Sequence, residues 1–62
     1  MFFVEVFYED SDLPVESHHY LDKQAAIDRF NKYADILVDY KLFDRVVIRN
    51  DNVVIFDTKG IL

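Results

Sequence analysis

Apolar and polar positions change their period twice along this chain, and the changes mark out its elements. From Phe2 to Tyr8 every residue except Glu5 is aromatic or β-branched, which predicts a strand. Glu9 to Pro14 sets Asp, Ser and Asp ahead of a proline that has no donor for a ladder, which predicts a turn. Val15 to Leu21 predicts a second strand, and its Glu, Ser and His content assigns it to a sheet edge. At Lys23 the period lengthens. Ala26, Phe30, Tyr33, Ala34 and Leu37 recur at helical spacing on one face, with Ile27 at the margin, so a helix is expected to about Tyr40. Asp22 occupies the N-cap position, with Leu21 placed to pack back on the first turn. Strand patterning returns over Arg45 to Asn50 and Val53 to Thr58. Between them Asp51 and Asn52, both tolerant of positive φ, make a two-residue hairpin turn.

The order β-β-α-β-β predicts an α+β fold, with residues 1–62 forming a single domain: a four-stranded mixed sheet with one helix packed on one face. The first and fourth strands are near-continuous apolar runs, while charge interrupts the second and third. Continuous runs favour the centre of a sheet, so the first and fourth strands are expected to pair there in parallel. With Arg29-Phe30-Asn31-Lys32-Tyr33-Ala34 in the helix, the element order resembles the β-grasp of the small immunoglobulin-binding domains of protein G and protein L. Such a resemblance implies a fold and carries no function.

One helix covers one face of a sheet and leaves the other to be accounted for. Glu5 marks the outer side of the first strand, which puts Phe3 and Phe7 beside it. Arg45, Val47 and Arg49 alternate onto that same side, leaving Val46 and Ile48 for the core. Phe3, Phe7 and Val47 are therefore expected to form an apolar patch and a homodimer interface, through this face or an edge strand. Composition points the same way. A chain of 62 residues buries only about 60% of its unfolded surface. Yet 52% of its residues are hydrophobic and 16% aromatic, more rings than one helix and one sheet face readily cover.

Few groups are available for chemistry. Cysteine is absent, which excludes disulfides and thiolate zinc sites. Besides tyrosine, the hydroxyls are Ser11, Ser17 and Thr58, and no glycine-rich loop offers a phosphate cradle. His18 and His19 are adjacent in a strand and point to opposite faces, so they cannot serve one site together. Glu16, His18 and Tyr20 do share a face, an arrangement capable of weak metal binding or general-base action but commoner as ordinary surface. The expectation is a protein that is not an enzyme and needs no metal or cofactor. The opening MFFVEVFYED lacks the basic and long apolar regions of a secretory signal, and no stretch approaches the length of a membrane span. A cytoplasmic location without membrane attachment is expected.

Charge is distributed unevenly. Every Lys and Arg lies beyond residue 22, while Glu5, Glu9, Asp10, Asp12, Glu16 and Asp22 precede them, so most of the net charge of −5 belongs to the first third of the chain. On the helix, Asp28, Asp35 and Asp39 fall along one outer stripe; Lys32 is spaced to pair with Asp28 and to reach Asp35. Asp35 and Asp39 repel each other, and Asp39 opposes the helix dipole in the last turn. Positions that weaken the fold without structural return are candidates for function. The plain account makes these acids a solubilising surface. The sharper account has Asp35, Asp39, Glu9, Asp10 and Asp12 imitating a phosphate backbone and docking onto a basic protein partner.

Small size, acidity, aromatic richness and missing catalytic groups resemble the small inhibitors encoded by bacteriophages and mobile elements, such as uracil-DNA glycosylase inhibitors and anti-CRISPR proteins. The resemblance implies a DNA mimic acting on a nucleic-acid-processing protein in the cytoplasm of a host cell. Two other readings stand beside it. One is a small assembly subunit that oligomerises through its apolar sheet face. The other is a weak single-stranded nucleic-acid binder using Phe3, Phe7, Arg45 and Arg49, which the net negative charge opposes.

Overall fold

Alternation along the strands decides which side chains meet the helix. In the computed structural model, which describes residues 1–8, 11–40 and 43–58, β1 (Phe2–Phe7) and β2 (Glu16–Tyr20) precede α1 (Lys23–Tyr40). β3 (Arg45–Asn50) and β4 (Val53–Asp57) follow it. The four strands form one sheet in the order β2-β1-β3-β4, every neighbouring pair antiparallel. Val4 and Val6 of β1 oppose Ile48 and Val46 of β3, and these four side chains point toward α1. Ala26, Tyr33 and Leu37 of α1 close over them, joined by Phe43 from the connection into β3. Phe2, Tyr20, Ile27, Phe30 and Ile36 pack around that centre.

The α+β class and the ββαββ order with a single packed helix are those read from the sequence. The arrangement of the strands is not. The expected parallel pairing of β1 with β4 at the centre of a mixed sheet, and with it the β-grasp topology, does not occur. β1 and β3 are central, and β4 is an edge. The reason lies in the two arginines that made β3 look like an edge. Arg49 reaches Glu5 on β1 and Arg45 reaches Asp57 on β4, so β3 needs a carboxylate on each flank and finds both only from the middle. β2 and β3 both run antiparallel to β1, hence parallel to each other, and α1 crosses over β1 to join them.

Local signals hold well at the helix start and the last turn of the chain. Asp22 caps α1 by accepting from the Ala25 amide at 3.3 Å, while its carbonyl accepts from Ala26 at 3.2 Å. Leu21 does not pack on the first turn; it is exposed. In the β3–β4 hairpin Asp51 takes φ 51°, the left-handed conformation that a two-residue turn requires. Just beyond β4, the buried Thr58 hydroxyl accepts from the Val46 amide at 3.0 Å, completing the ladder of β3 where β4 ends.

That contact sets a stability test. Thr58→Val leaves the Val46 N–H buried without an acceptor and is expected to cost about 1–3 kcal/mol, whereas Thr58→Ser keeps the acceptor and costs less. Urea unfolding followed by circular dichroism distinguishes them; equal losses for the two variants would refute the role of the hydroxyl.

Candidate binding surface

The outer face of the sheet is covered by its own side chains. Phe3, Glu5 and Phe7 of β1 oppose Arg49, Val47 and Arg45 of β3. The Arg49 guanidinium lies 4.0 Å from the centre of the Phe3 ring while its Nε donates to Glu5 at 2.7 Å. The Arg45 guanidinium lies 5.0 Å from the Phe7 ring, and its Nε and Nη2 hold Asp57, the shorter bond 2.7 Å. On the far side of Phe3, the His19 ring meets it edge-on at 4.6 Å. The result is a ladder of rings and guanidinium planes from β2 to β4. Beneath it Val47 is only 3% exposed, and Phe3 and Phe7 are half-buried. Arg49 also donates to the Asp51 carbonyl, tying the ladder to the hairpin turn. Donation to the Glu5 and Asp57 carboxylates raises the pKa of Arg49 and Arg45 further above the ordinary arginine value. The faces assigned to these residues by alternation are those they occupy, and the arginine guanidinium groups lie over the phenyl rings.

On the helix side, the outermost strand carries polar side chains. Glu16, His18 and Tyr20 of β2 share the face that meets α1, and Tyr33 reaches Glu16 and His18 from the helix. Tyr33 Oη donates to Glu16 at 3.1 Å and stands 2.7 Å from His18 Nε2. A chain in which His18 Nε2–H donates to Tyr33 and Tyr33 donates on to Glu16 satisfies all three groups. Arg29 Nε donates to the Tyr20 hydroxyl at 2.8 Å, and its guanidinium lies 5.9 Å from the Tyr33 ring. Partial burial and the Glu16 carboxylate push the Tyr33 pKa up from its ordinary 10.0. This cluster fastens the helix to the edge of the sheet. Among the described residues no buried polar side-chain atom lacks a partner, and no three His, Asp or Glu side chains converge as a metal would require.

The acids expected to meet a partner fall elsewhere. The Asp44 amide donates to the Phe7 carbonyl and the Val15 amide to the Val6 carbonyl, so the β1–β2 connection and the entry to β3 meet at one end of the sheet. α1 starts at the opposite end, beyond Tyr20, and runs back toward this one. Asp12 and Asp39 are thereby brought to the same end, with Asp35 one turn earlier on the helix. All three are exposed, and among the described residues no cation lies within ion-pair distance of them. The last turn of α1 contains no basic residue to offset Asp39. Exposed Tyr8, Leu13, Val38 and Tyr40 come from the same end of the elements. Glu9 and Asp10 lie outside the described residues. The pairing expected between Asp28 and Lys32 is replaced by a hydrogen bond from Gln24 to Asp28 at 2.9 Å.

Sequence reasoning missed two features of this geometry. One is the exposure of β4, whose apolar run suggested a central strand. The other is the matching of each outer arginine to a carboxylate on a neighbouring strand, which becomes readable only once the strand order is known. No family model matches this chain, and neither the curated proteins nor the solved structures contain a match to it. Among the described residues no helix is long and apolar enough to cross a membrane.

Two measurements probe these clusters. Glu5 and Arg49 are largely shielded from solvent, with 12% and 26% of their side-chain surface exposed. A double-mutant cycle of Glu5→Gln and Arg49→Met is expected to return a coupling of about 1–2 kcal/mol, above exposed pairs and below fully buried ones. A coupling near zero would show that the ladder holds without the ion pair. For Tyr33, a raised folded pKa means that its contribution to stability is complete below pH 10 and is lost as pH climbs through the folded value. Tyr33 should ionise above its ordinary 10.0, and Tyr33→Phe should remove that high-pH component from the ultraviolet tyrosinate titration.

Proposed function

We propose that this chain is a non-enzymatic binding protein that docks an acidic surface onto a basic protein partner. The surface centres on Asp12, Asp35 and Asp39, with Glu9 and Asp10 belonging to the same connection in the sequence. One observation supports this reading above others: where charge is needed to hold the fold, it is paired. Glu5 and Asp57 each have an arginine, whereas Asp35 and Asp39 have no cation within reach among the described residues and Asp39 faces an unfavourable dipole. Exposed apolar side chains at the same end, Leu13, Val38 and Tyr40, supply the desolvated contacts that an interface needs beside its charges. Carboxylates on a small rigid scaffold are suited to a groove that otherwise receives phosphates. A nucleic-acid-processing protein is therefore the partner class of choice, as for an inhibitor encoded by a phage or mobile element, working in the cytoplasm.

The acidic face and the fold make opposite demands on Asp39, which gives the test its form. Asp39→Lys relieves both the dipole and the repulsion from Asp35, so it should stabilise the protein by about 0.3–1 kcal/mol. In a domain of this size that corresponds to a rise in Tm of a few degrees. The same substitution, combined with Asp35→Lys, should abolish recovery of the partner in affinity capture from host lysate. Capture by the unmodified protein should fall steeply as salt is raised. An unchanged set of captured proteins, with the double variant folded, would defeat the reading.

A further inference from the structure

β4 is the unguarded edge of this sheet. β2, the other edge, presents Glu16, Ser17, His18 and His19, the polar content that discourages strand addition. β4 presents Val53, Val54, Ile55 and Phe56, exposed by 67%, 55%, 46% and 42%, without a charge or a proline among them. α1 lies over β1, β3 and β2 and meets β4 mainly where Phe30 touches Phe56, ring centres 5.6 Å apart.

We propose that β4 pairs antiparallel with β4 of a second copy of this chain, joining two sheets into one of eight strands. The register comes from the bulge. Val53 opposes Asn50 and Phe56 opposes Ile48, both on the helix side, while Val54 opposes Arg49 on the outer side. Ile55 is the extra residue between Val54 and Phe56 and shares that outer side. The four apolar residues therefore read inner, outer, outer, inner, the same in both directions. Directly opposed residues of antiparallel strands share a face, so Val53 can oppose the partner's Phe56 and Val54 the partner's Ile55. A regular strand would put Val53 and Phe56 on opposite faces and forbid this register. A bulge often shields an edge; without any charge to accompany it, this one makes the edge self-complementary.

Charge permits a second copy in this register. In this register Asp57, already held by Arg45, faces the partner's Asn52, and Asp51 faces the partner's Thr58, so no two carboxylates are opposed. The two-fold axis also points the acidic ends of the copies away from each other, which lets two chains of net charge −5 associate. Both helices then lie on one side of the joined sheet and flank the paired Val53 and Phe56 side chains. With Phe30 included, the area covered is on the order of 400 Å² per copy, about half that of a standard interface, so the dimer is expected to dissociate in the micromolar range.

Sedimentation velocity of the full chain from about 5 to 500 µM should show monomer converting to dimer. Val54→Lys, at an exposed position, should shift dissociation at least tenfold upward with the circular dichroism spectrum unchanged. The chain has no cysteine, so register can be tested separately. Val54→Cys and Ile55→Cys chains mixed in a glutathione redox buffer should form the mixed disulfide in preference to either symmetric one. The crosslink decides the matter should Val54→Lys fail to fold. A wild type monomeric throughout would overturn the proposal and leave the edge to a strand from another protein. A folded Val54→Lys that still dimerises, or a random distribution of disulfides, would overturn it equally.

Discussion

A single helix can cover only one face of a sheet, and everything distinctive in this molecule follows from how the other face is closed. Phe3 and Phe7 cannot be left to water without cost, and among the described residues no second helix covers them. Arg49 and Arg45 lie across them instead, each stacking on a ring and binding a carboxylate at once. An arginine can do both because its guanidinium is planar, with donors at the edge and an open face. Lysine in either place would give up the stacking or the paired hydrogen bonds. The cover also explains why Val47 is as well buried as the helix-side core although it faces the opposite way.

This closure fixes the strand order. β3 contributes both arginines, and their carboxylates come from β1 on one side and from β4 on the other. An antiparallel sheet with β3 inside satisfies that requirement. A parallel β1–β4 centre would separate Arg49 from Glu5. The charged positions of β3 are therefore marks of a central strand whose outer face is polar and paired, and the uninterrupted apolar run of β4 belongs to an edge.

Much of the fold was legible in local pattern. The span of α1, the Asp22 cap, the Asp51 turn and the face of every residue in β1 and β3 follow from period and residue type, because these depend on neighbours a few positions away. Strand order was not legible, because an apolar run reads alike whether it lies at the centre of a sheet or at a free edge. The structural roles of Phe43 and Thr58 escaped notice for a related reason: each sits just outside an element, with its partner assigned only by the tertiary fold. The candidate surface was half legible. Spacing put Asp35 and Asp39 on the outer side of the helix, but only the topology brings Asp12 to their end of the sheet.

The allocation of arginines links the fold to the charge that the molecule shows its surroundings. Two of the seven basic residues are held flat against the sheet, where Glu5 and Asp57 neutralise them and salt screens them little. A third, Arg29, is directed at the Tyr20 hydroxyl and the Tyr33 ring beside β2. Removing two matched pairs leaves the net charge at −5, now carried by ten acids and five bases, so the remaining surface is more strongly negative per charged group than the composition suggests. The field is thus concentrated where Asp12, Asp35 and Asp39 have no cation within ion-pair distance among the described residues, while the apolar run Val53 to Phe56 of β4 is left neutral. A neutral edge and a negative end on one small scaffold are separate surfaces. Occupation of one leaves the other open, and a pair of chains joined at β4 would present two acidic ends facing in opposite directions.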